Sequence, residues 1–188
     1  MPFVSIHMTT FRRHSSGLLK SAVDSVLSQS FEDFEFIICD DASYDGTSTY
    51  LAEVAASDSR VKVVRNESNL NSVALSLGRC MKLRDPSAKY ISWMFDDCDL
   101  TPNALQELVE LALSNDSDIA FGVTDVALSG GGSLFVGSHS LEYIRAHIES
   151  NSTLVPNAGI LIKPKVFEEH GWYDSNIIMR RIYSRLCD

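Results

Sequence analysis

The sequence predicts an α/β fold: a doubly wound, mostly parallel sheet flanked by helices, within a single domain. Three observations carry this expectation. Short apolar runs of strand type alternate with stretches whose apolar residues recur at helical spacing, four times in succession. Such repeated strand–helix units imply parallel strands joined by crossover helices. Each strand-type run also ends in polar or acidic residues, at the edge of the sheet where folds of this kind bind ligands.

The elements follow in order. Phe3–Met8 (FVSIHM) is a short β-type run. Gly17–Ser30 carries Leu18, Leu19, Ala22, Val23, Val26 and Leu27 at helical spacing. Phe34–Asp40 (FEFIICD) reads as a buried strand ending in acid, followed by an Asp45-Gly46 turn and a second helix. Val61–Asn66 is a third strand and Asn71–Leu83 a third helix. Lys89–Phe95 (KYISWMF) is a fourth strand that runs into Asp96, Asp97, Cys98 and Asp99. Thr101–Asn115 is the clearest helix, with Thr101 suited to the N-cap, Pro102 to the first turn, and Leu105, Leu108, Val109 and Leu111 on the apolar face. Ser117–Leu128 is expected as one fifth strand. The Gly130-Gly131-Gly132 run is expected as a hairpin turn into Ser133–Gly137. Beyond about residue 130 the pattern loosens, and a less regular subregion is expected.

Composition narrows the function classes. The 188 residues suffice for one domain with a substantial core, and 45% hydrophobic with 22% charged residues is ordinary for a soluble globular protein. A net charge of −9 argues against nucleic acid or an anionic membrane as the main partner, since both require a basic face. Arg12 and Arg13, and Arg180, Arg181 and Arg185, could still form local basic patches. Cys39, Cys80, Cys98 and Cys187 form no C-x-x-C pair and read as reduced thiols. The five histidines show no zinc spacing, and His7 reads as a core residue. No signal peptide is expected at the N-terminus, and no run approaches the ~20 apolar residues of a membrane span.

The chemistry must lie along the rim of strand ends: Thr9 and Thr10, Asp40 and Asp41, Arg65 and Asn66, and Asp96 to Asp99. The first strand–helix turn, MTTFRRHSSG, lacks G-x-G-x-x-G, and no P-loop is present. Glycine-cradled amides are therefore not the main holder of a phosphate. Carboxylates can hold a diphosphate through a divalent cation, and Asp96, Asp97 and Asp99 supply the hard oxygen ligands that Mg²⁺ or Mn²⁺ take. The alternative is a solvated loop whose acids favour the dipole of the following helix. For Asp40-Asp41 the alternative is a pair that caps a turn.

The residues then resemble a known family. VSIHMTTFRR, Ser25–Thr47 (SVLSQSFEDFEFIICDDASYDGT) and Tyr90–Leu105 (YISWMFDDCDLTPNAL) are similar to motifs of the family 2 glycosyltransferases of GT-A fold, and Gly171–Asn176 (GWYDSN) to a later one. The resemblance is strong to about residue 125. It implies a nucleotide-sugar-binding part over 1–125 and an acceptor-side part of the same domain over 126–188, with a C-terminal helix of the family cut short. It implies transfer of a sugar from a UDP-, dTDP- or GDP-linked donor to a carbohydrate or lipid-linked acceptor, with inversion and with Mn²⁺ or Mg²⁺ as cofactor. The expected setting is cytoplasmic, peripheral at the inner face of the membrane, in polysaccharide or cell-envelope synthesis.

Residue by residue, the resemblance places Thr9 and Arg13 at the nucleotide and Asp41 at the nucleobase. Asp96 faces the ribose or the metal's surroundings, Asp97 is the direct metal ligand, and Asp99 is an auxiliary ligand. Asp188 is the candidate catalytic base, against the alternative of a charged chain end. Cys98 stands where the family often has an acid and, as a poor ligand for a hard cation, is expected to pack. Asn71 stands where the family often has glycine. Two other readings stay open: a non-catalytic nucleotide-sugar-binding domain, and a nucleotidyltransferase, which normally has a glycine-rich basic first loop.

Overall fold

The computed structural model describes residues 1–122, 124–127, 133–136 and 159–170. Four strand–helix units come first: β1 (Val4–Thr10) and α1 (Leu18–Leu27), β2 (Phe34–Asp40) and α2 (Thr47–Ser57), β3 (Val61–Arg65) and α3 (Val73–Leu83), β4 (Tyr90–Phe95) and α4 (Ala104–Ser114). A one-turn 3₁₀ segment, His14–Ser16, joins β1 to α1. Then come β5 (Ile119–Phe121), β6 (Thr124–Ala127), β7 (Ser133–Val136), β8 (Ile160–Ile162) and α5 (Pro164–His170).

The main sheet has six strands in the order β3-β2-β1-β4-β8-β5. β1 pairs in parallel with both β2 and β4, and β2 with β3. Strand order therefore reverses between β1 and β4, which opens a crevice at their carboxyl ends. Every residue of β1 and β2 is buried, as befits central strands covered by helices on both faces. One core cluster joins Ile6, Met8, Phe36 and Ile38 of the sheet to Leu19, Val23, Leu51 and Leu105 of the helices. A second gathers Ile91 and Trp93 of β4 with Ile160, Ile162, Val166 and Phe167. His7 is buried within β1, as expected, and Trp93 packs in the second cluster.

Two expectations need correction, and one strand was not foreseen. The single strand over Ser117–Leu128 is two: β5 pairs with β8 in the main sheet, where the Gly122 N–H extends the ladder to the Gly159 carbonyl at 2.8 Å. The continuation, β6, pairs antiparallel with β7 in a separate two-stranded sheet. The glycine run between β6 and β7 lies outside the described residues. The strand not foreseen is β8: three apolar residues between Gly159 and Lys163-Pro164 show no period. It enters antiparallel between β4 and β5, and the sheet is mostly parallel, as expected.

The other correction concerns α4. Its first residue is Ala104, Thr101 is not the cap, and the inward face carries Ala112, with Leu111 exposed. The free N–H of Leu105 is satisfied from elsewhere, by Gln29 Oε1 at 2.9 Å. Gln29 Nε2 donates to the carbonyls of Ser25 at 3.0 Å and Thr101 at 2.7 Å. A buried side chain just past α1 therefore caps α4, a role that local pattern cannot show.

Candidate active site

The site begins with register. Thr9 lies opposite Cys39 on β2 and Phe95 on β4, and Thr10 opposite Asp40, so the three strands end level. The ladder continues past the strands: Asp41 N–H donates to the Thr10 carbonyl at 2.9 Å and Asn66 N–H to the Asp40 carbonyl at 2.9 Å. Beyond these ends lies a cavity of about 400 Å³. Thr9, Thr10 and Phe95 form its floor at the strand ends. Arg13, Asp41, Asp96 and Asp97 line it, together with Asn69, Asn71, Ser72 and Val73 from the approach to α3. The structure thus brings Thr9, Arg13, Asp41, Asp96 and Asp97 together around one space.

The two acids after β4 differ sharply. Asp96 is buried and Asp97 exposed. Asp96 Oδ2 accepts from Thr10 Oγ1 at 2.6 Å, and its Oδ1 lies 3.4 Å from Arg13 Nε. Burial raises the Asp96 carboxyl above its ordinary range, the Thr10 hydrogen bond and the Arg13 charge oppose this, and the Asp97 charge adds to it. Arg13 Nη2 also reaches Asp97 Oδ2 at 3.5 Å, so one guanidinium spans both acids. Asp97 opens on the cavity and is available to a ligand.

Asp99 faces elsewhere. It is exposed, does not line the cavity, and accepts from Ser21 Oγ of α1 at 2.7 Å. Ser25 Oγ of the same helix accepts from Leu100 N–H at 3.1 Å. Ser21, Ser25 and Gln29 recur every four residues, so one polar stripe along α1 holds the segment that follows the acids. Cys98 is half-buried against the main core. Burial, with the Asp97 charge, pushes its thiol up to about 11.

The pair after β2 also divides its labour. Asp40 Oδ1 accepts from Ser43 N–H at 2.9 Å, and its other oxygen is bonded by Ser48 and Arg65. Arg65 Nη2 reaches the Ser43 carbonyl at 2.7 Å. Asp40 therefore caps the turn, as the structural alternative had it. The grip spans Ala42 at φ 65°, a left-handed conformation that non-glycine residues adopt at some cost. Asp41 instead lines the cavity. Its Oδ1 accepts from Asn66 Nδ2 at 2.7 Å and from Leu70 N–H at 2.9 Å. Asn71 takes the left-handed region at φ 47°, with its N–H bonded to Asn69 Oδ1 at 2.6 Å. Asparagine thus supplies the turn for which a glycine would otherwise be used.

Sequence reasoning missed Thr10 as the partner of Asp96, the Asn69–Val73 wall, and Arg79, whose Nε donates to Asn66 Oδ1 at 3.1 Å. Only the spacing of Asn66 from the end of β3 offered a signal, because these contacts span 13 to 86 positions in sequence. Asp188, the Gly171–Asn176 motif and the arginines Arg180, Arg181 and Arg185 lie outside the described residues.

The resemblance implies a divalent cation, and the residues present are compatible with one. Among the described residues no three histidine, cysteine, aspartate or glutamate side chains converge as a closed site. The cavity offers one open carboxylate, Asp97, beside a buried one, Asp96. That is the provision expected where substrate phosphates complete the shell of a hard cation.

The family model described as Glycosyl transferase family 2 matches residues 5–171. The chain is 30% identical over 112 residues to the GalNAc(5)-diNAcBac-PP-undecaprenol beta-1,3-glucosyltransferase of Campylobacter jejuni, covering 60% of this chain and 35% of that protein. It is 28% identical over 119 residues to the UDP-Glc:alpha-D-GlcNAc-diphosphoundecaprenol beta-1,3-glucosyltransferase of Escherichia coli, covering 63% and 44%. The chain thus spans less than half the length of these relatives. The fold matches S. aureus TarS (residues 1–349, in complex with UDP) with a TM-score of 0.72 at 15% identity, over 97% of this chain and 54% of that one. It matches the mannosyltransferase PcManGT from Pyrobaculum calidifontis, in complex with GDP-Man and Mn²⁺, with a TM-score of 0.66 at 14% identity, over 93% and 48%. At these identities the structural likeness shows the fold.

Proposed function

The chain belongs to glycosyl transferase family 2, and on that footing we propose that it moves a sugar from a nucleotide-diphospho-sugar to an acceptor hydroxyl, with inversion at the anomeric carbon. One observation carries the reading most: a single cavity is lined by Asp41 on the β2 side of β1 and by Asp96 and Asp97 on its β4 side. A ligand that bears an N–H-rich base at one end and a diphosphate at the other matches that separation of roles.

In this reading Asp41 accepts a hydrogen bond from the nucleobase, a task suited to an acceptor-only carboxylate. Thr9 and Arg13 flank the nucleotide, and Asp96, fixed by Thr10, faces the ribose. Asp97 holds Mn²⁺ or Mg²⁺. Asp99, expected as an auxiliary ligand, is engaged by Ser21 outside the cavity lining, and its loss should cost far less than that of Asp97. The bound cation would supply positive charge to the departing nucleoside diphosphate. Arg13 already places one cationic group between Asp96 and Asp97 and is within reach of the same phosphates. The acceptor hydroxyl attacks the anomeric carbon from the face opposite the diphosphate as the sugar–phosphate bond breaks. Its proton passes to a carboxylate base, an effect worth about 10²–10⁴ in rate. Asp188 is the candidate for that base.

The donors proposed are UDP-, dTDP- or GDP-linked sugars. The names of the Campylobacter and Escherichia relatives favour UDP-glucose and an undecaprenol-diphosphate-linked saccharide acceptor. Among the described residues no helix is long and apolar enough to cross a membrane. A cytoplasmic enzyme docked peripherally at the inner membrane face, in cell-envelope polysaccharide synthesis, accords with such an acceptor. The test is release of UDP from UDP-glucose with Mn²⁺ and that acceptor. Release that depends on acceptor supports transfer. Tight UDP binding without release would favour a non-catalytic nucleotide-sugar-binding domain instead.

A further inference from the structure

Asn66 and Arg79 form a relay behind Asp41 that the reaction as described does not use. Asn66 is 1% exposed, at the end of β3. Arg79 lies on α3, and its Nε donates to Asn66 Oδ1 at 3.1 Å. A guanidinium has donors only, so the amide must turn its oxygen to Arg79 and its nitrogen the other way. The nitrogen then donates to Asp41 Oδ1 at 2.7 Å, with Ser76 Oγ at 3.3 Å. Leu70 N–H donates to that same Oδ1 at 2.9 Å. The flipped amide would set its carbonyl against the Asp41 carboxylate, lone pair to lone pair.

The consequence concerns the other oxygen. With Oδ1 occupied by two donors, the carboxylate plane is fixed. Among the described residues none donates to Oδ2, and Asp41 lines the cavity. We propose that Asn66, locked by Arg79, positions Asp41 so that its Oδ2 presents a fixed acceptor to the cavity, and that this relay sets the nucleobase preference of the site. The site then selects bases with a ring N–H facing Asp41, as in uracil, thymine and guanine. It discriminates against cytosine, whose N3 presents a lone pair to that acceptor. The inference rests on the donor reading above, in which Asp41 meets the base.

Arg79 is exposed, so its replacement spares the core, while Asn66→Leu keeps volume and removes both hydrogen-bonding ends. The experiment is calorimetric titration of UDP and CDP, each with Mn²⁺, into the intact chain and into Arg79→Met, Arg79→Lys, Asn66→Leu and Asp41→Asn. Melting temperature is measured on each. Wild type is expected to prefer UDP by about tenfold or more, the scale of one hydrogen bond to a charged group. Arg79→Met and Asn66→Leu are expected to bring the two nucleotides to within about threefold of each other, mainly by weakening UDP. Arg79→Lys, which keeps one donor, is expected to retain most of the preference. A merely structural role would weaken UDP and CDP alike and leave their ratio unchanged, and that result overturns the proposal. If Asp41→Asn abolishes the preference while both relay variants keep it, the base contact stands and the relay falls. If Asp41→Asn keeps the preference, or if the wild-type chain binds neither nucleotide, the donor reading falls and the relay with it.

Discussion

His7 illustrates how far a single residue's environment can depart from what its type suggests. It is a titratable side chain in the central strand, fully buried, with Ser5 Oγ 3.0 Å from its Nε2. Burial first, and the positive charge of Arg84 second, lower its pKa from 6.5 to about 3. The folded state therefore resists a proton that the unfolded chain accepts. Its stabilising contribution is complete above about pH 6.5 and is lost as pH falls toward 3, by roughly 2 kcal/mol at pH 5. Urea midpoints measured from pH 7 to pH 5 should fall accordingly, and in His7→Leu the fall should be much reduced. An equal slope in that variant would contradict the assignment. That His7 is a core residue was legible from its place in an apolar run. From local pattern alone the division between Asp40 and Asp41 was not, because adjacent acids at a strand end look alike; the resemblance singled out Asp41, and the structure shows Asp40 facing Arg65 and Ser48 and Asp41 facing the cavity.

At the scale of elements, α1 does more than cover the sheet. Its apolar face buries Leu19, Ala22, Val23 and Val26, while Ser21, Ser25 and the following Gln29 tie down Asp99, Leu100, Thr101 and Leu105. The acid loop is thereby held between β4 on one side and a pinned segment on the other. Gln29→Ala removes the cap of α4 and strands buried backbone groups, so it should destabilise the fold by about 1–3 kcal/mol. It should also weaken metal-dependent nucleotide binding, since the loop bearing Asp97 loses its anchor. Chemical denaturation and UDP titration check both effects, and a change below about 0.5 kcal/mol would refute the capping role. The helix α4 itself was readable from its period, and its cap was not, because Thr101 had the right chemistry in the right place and lost to a residue 76 positions away from Leu105. Likewise β8 carries too few residues to announce a period, whereas β1 to β4 each do.

For the whole molecule, four parallel strands and a polar rim at their carboxyl ends were foreseeable, because both follow from repeated strand–helix units, whereas the strand order with its switch between β1 and β4 was not. What the later residues add was not: β8 and α5 return to the sheet and cover Ile91 and Trp93 with Ile160, Ile162, Val166 and Phe167. Residues beyond the expected boundary at 125 thus pack against strand residues before it. Losing those four side chains forfeits roughly 6–12 kcal/mol of apolar burial, comparable with the total stability of a domain. A fragment of residues 1–125 should therefore be insoluble or lack a cooperative melt, and a fragment that melts like the full chain would overturn this view of the core. The central claim is that the cavity at the β1–β4 switch binds a nucleoside diphosphate through a cation on Asp97. Its most direct measurement is calorimetric titration of UDP with and without Mn²⁺, into wild type and Asp97→Ala. Binding to wild type is expected to strengthen about tenfold or more with Mn²⁺, with no such gain in Asp97→Ala. Binding indifferent to both the metal and Asp97 would contradict it.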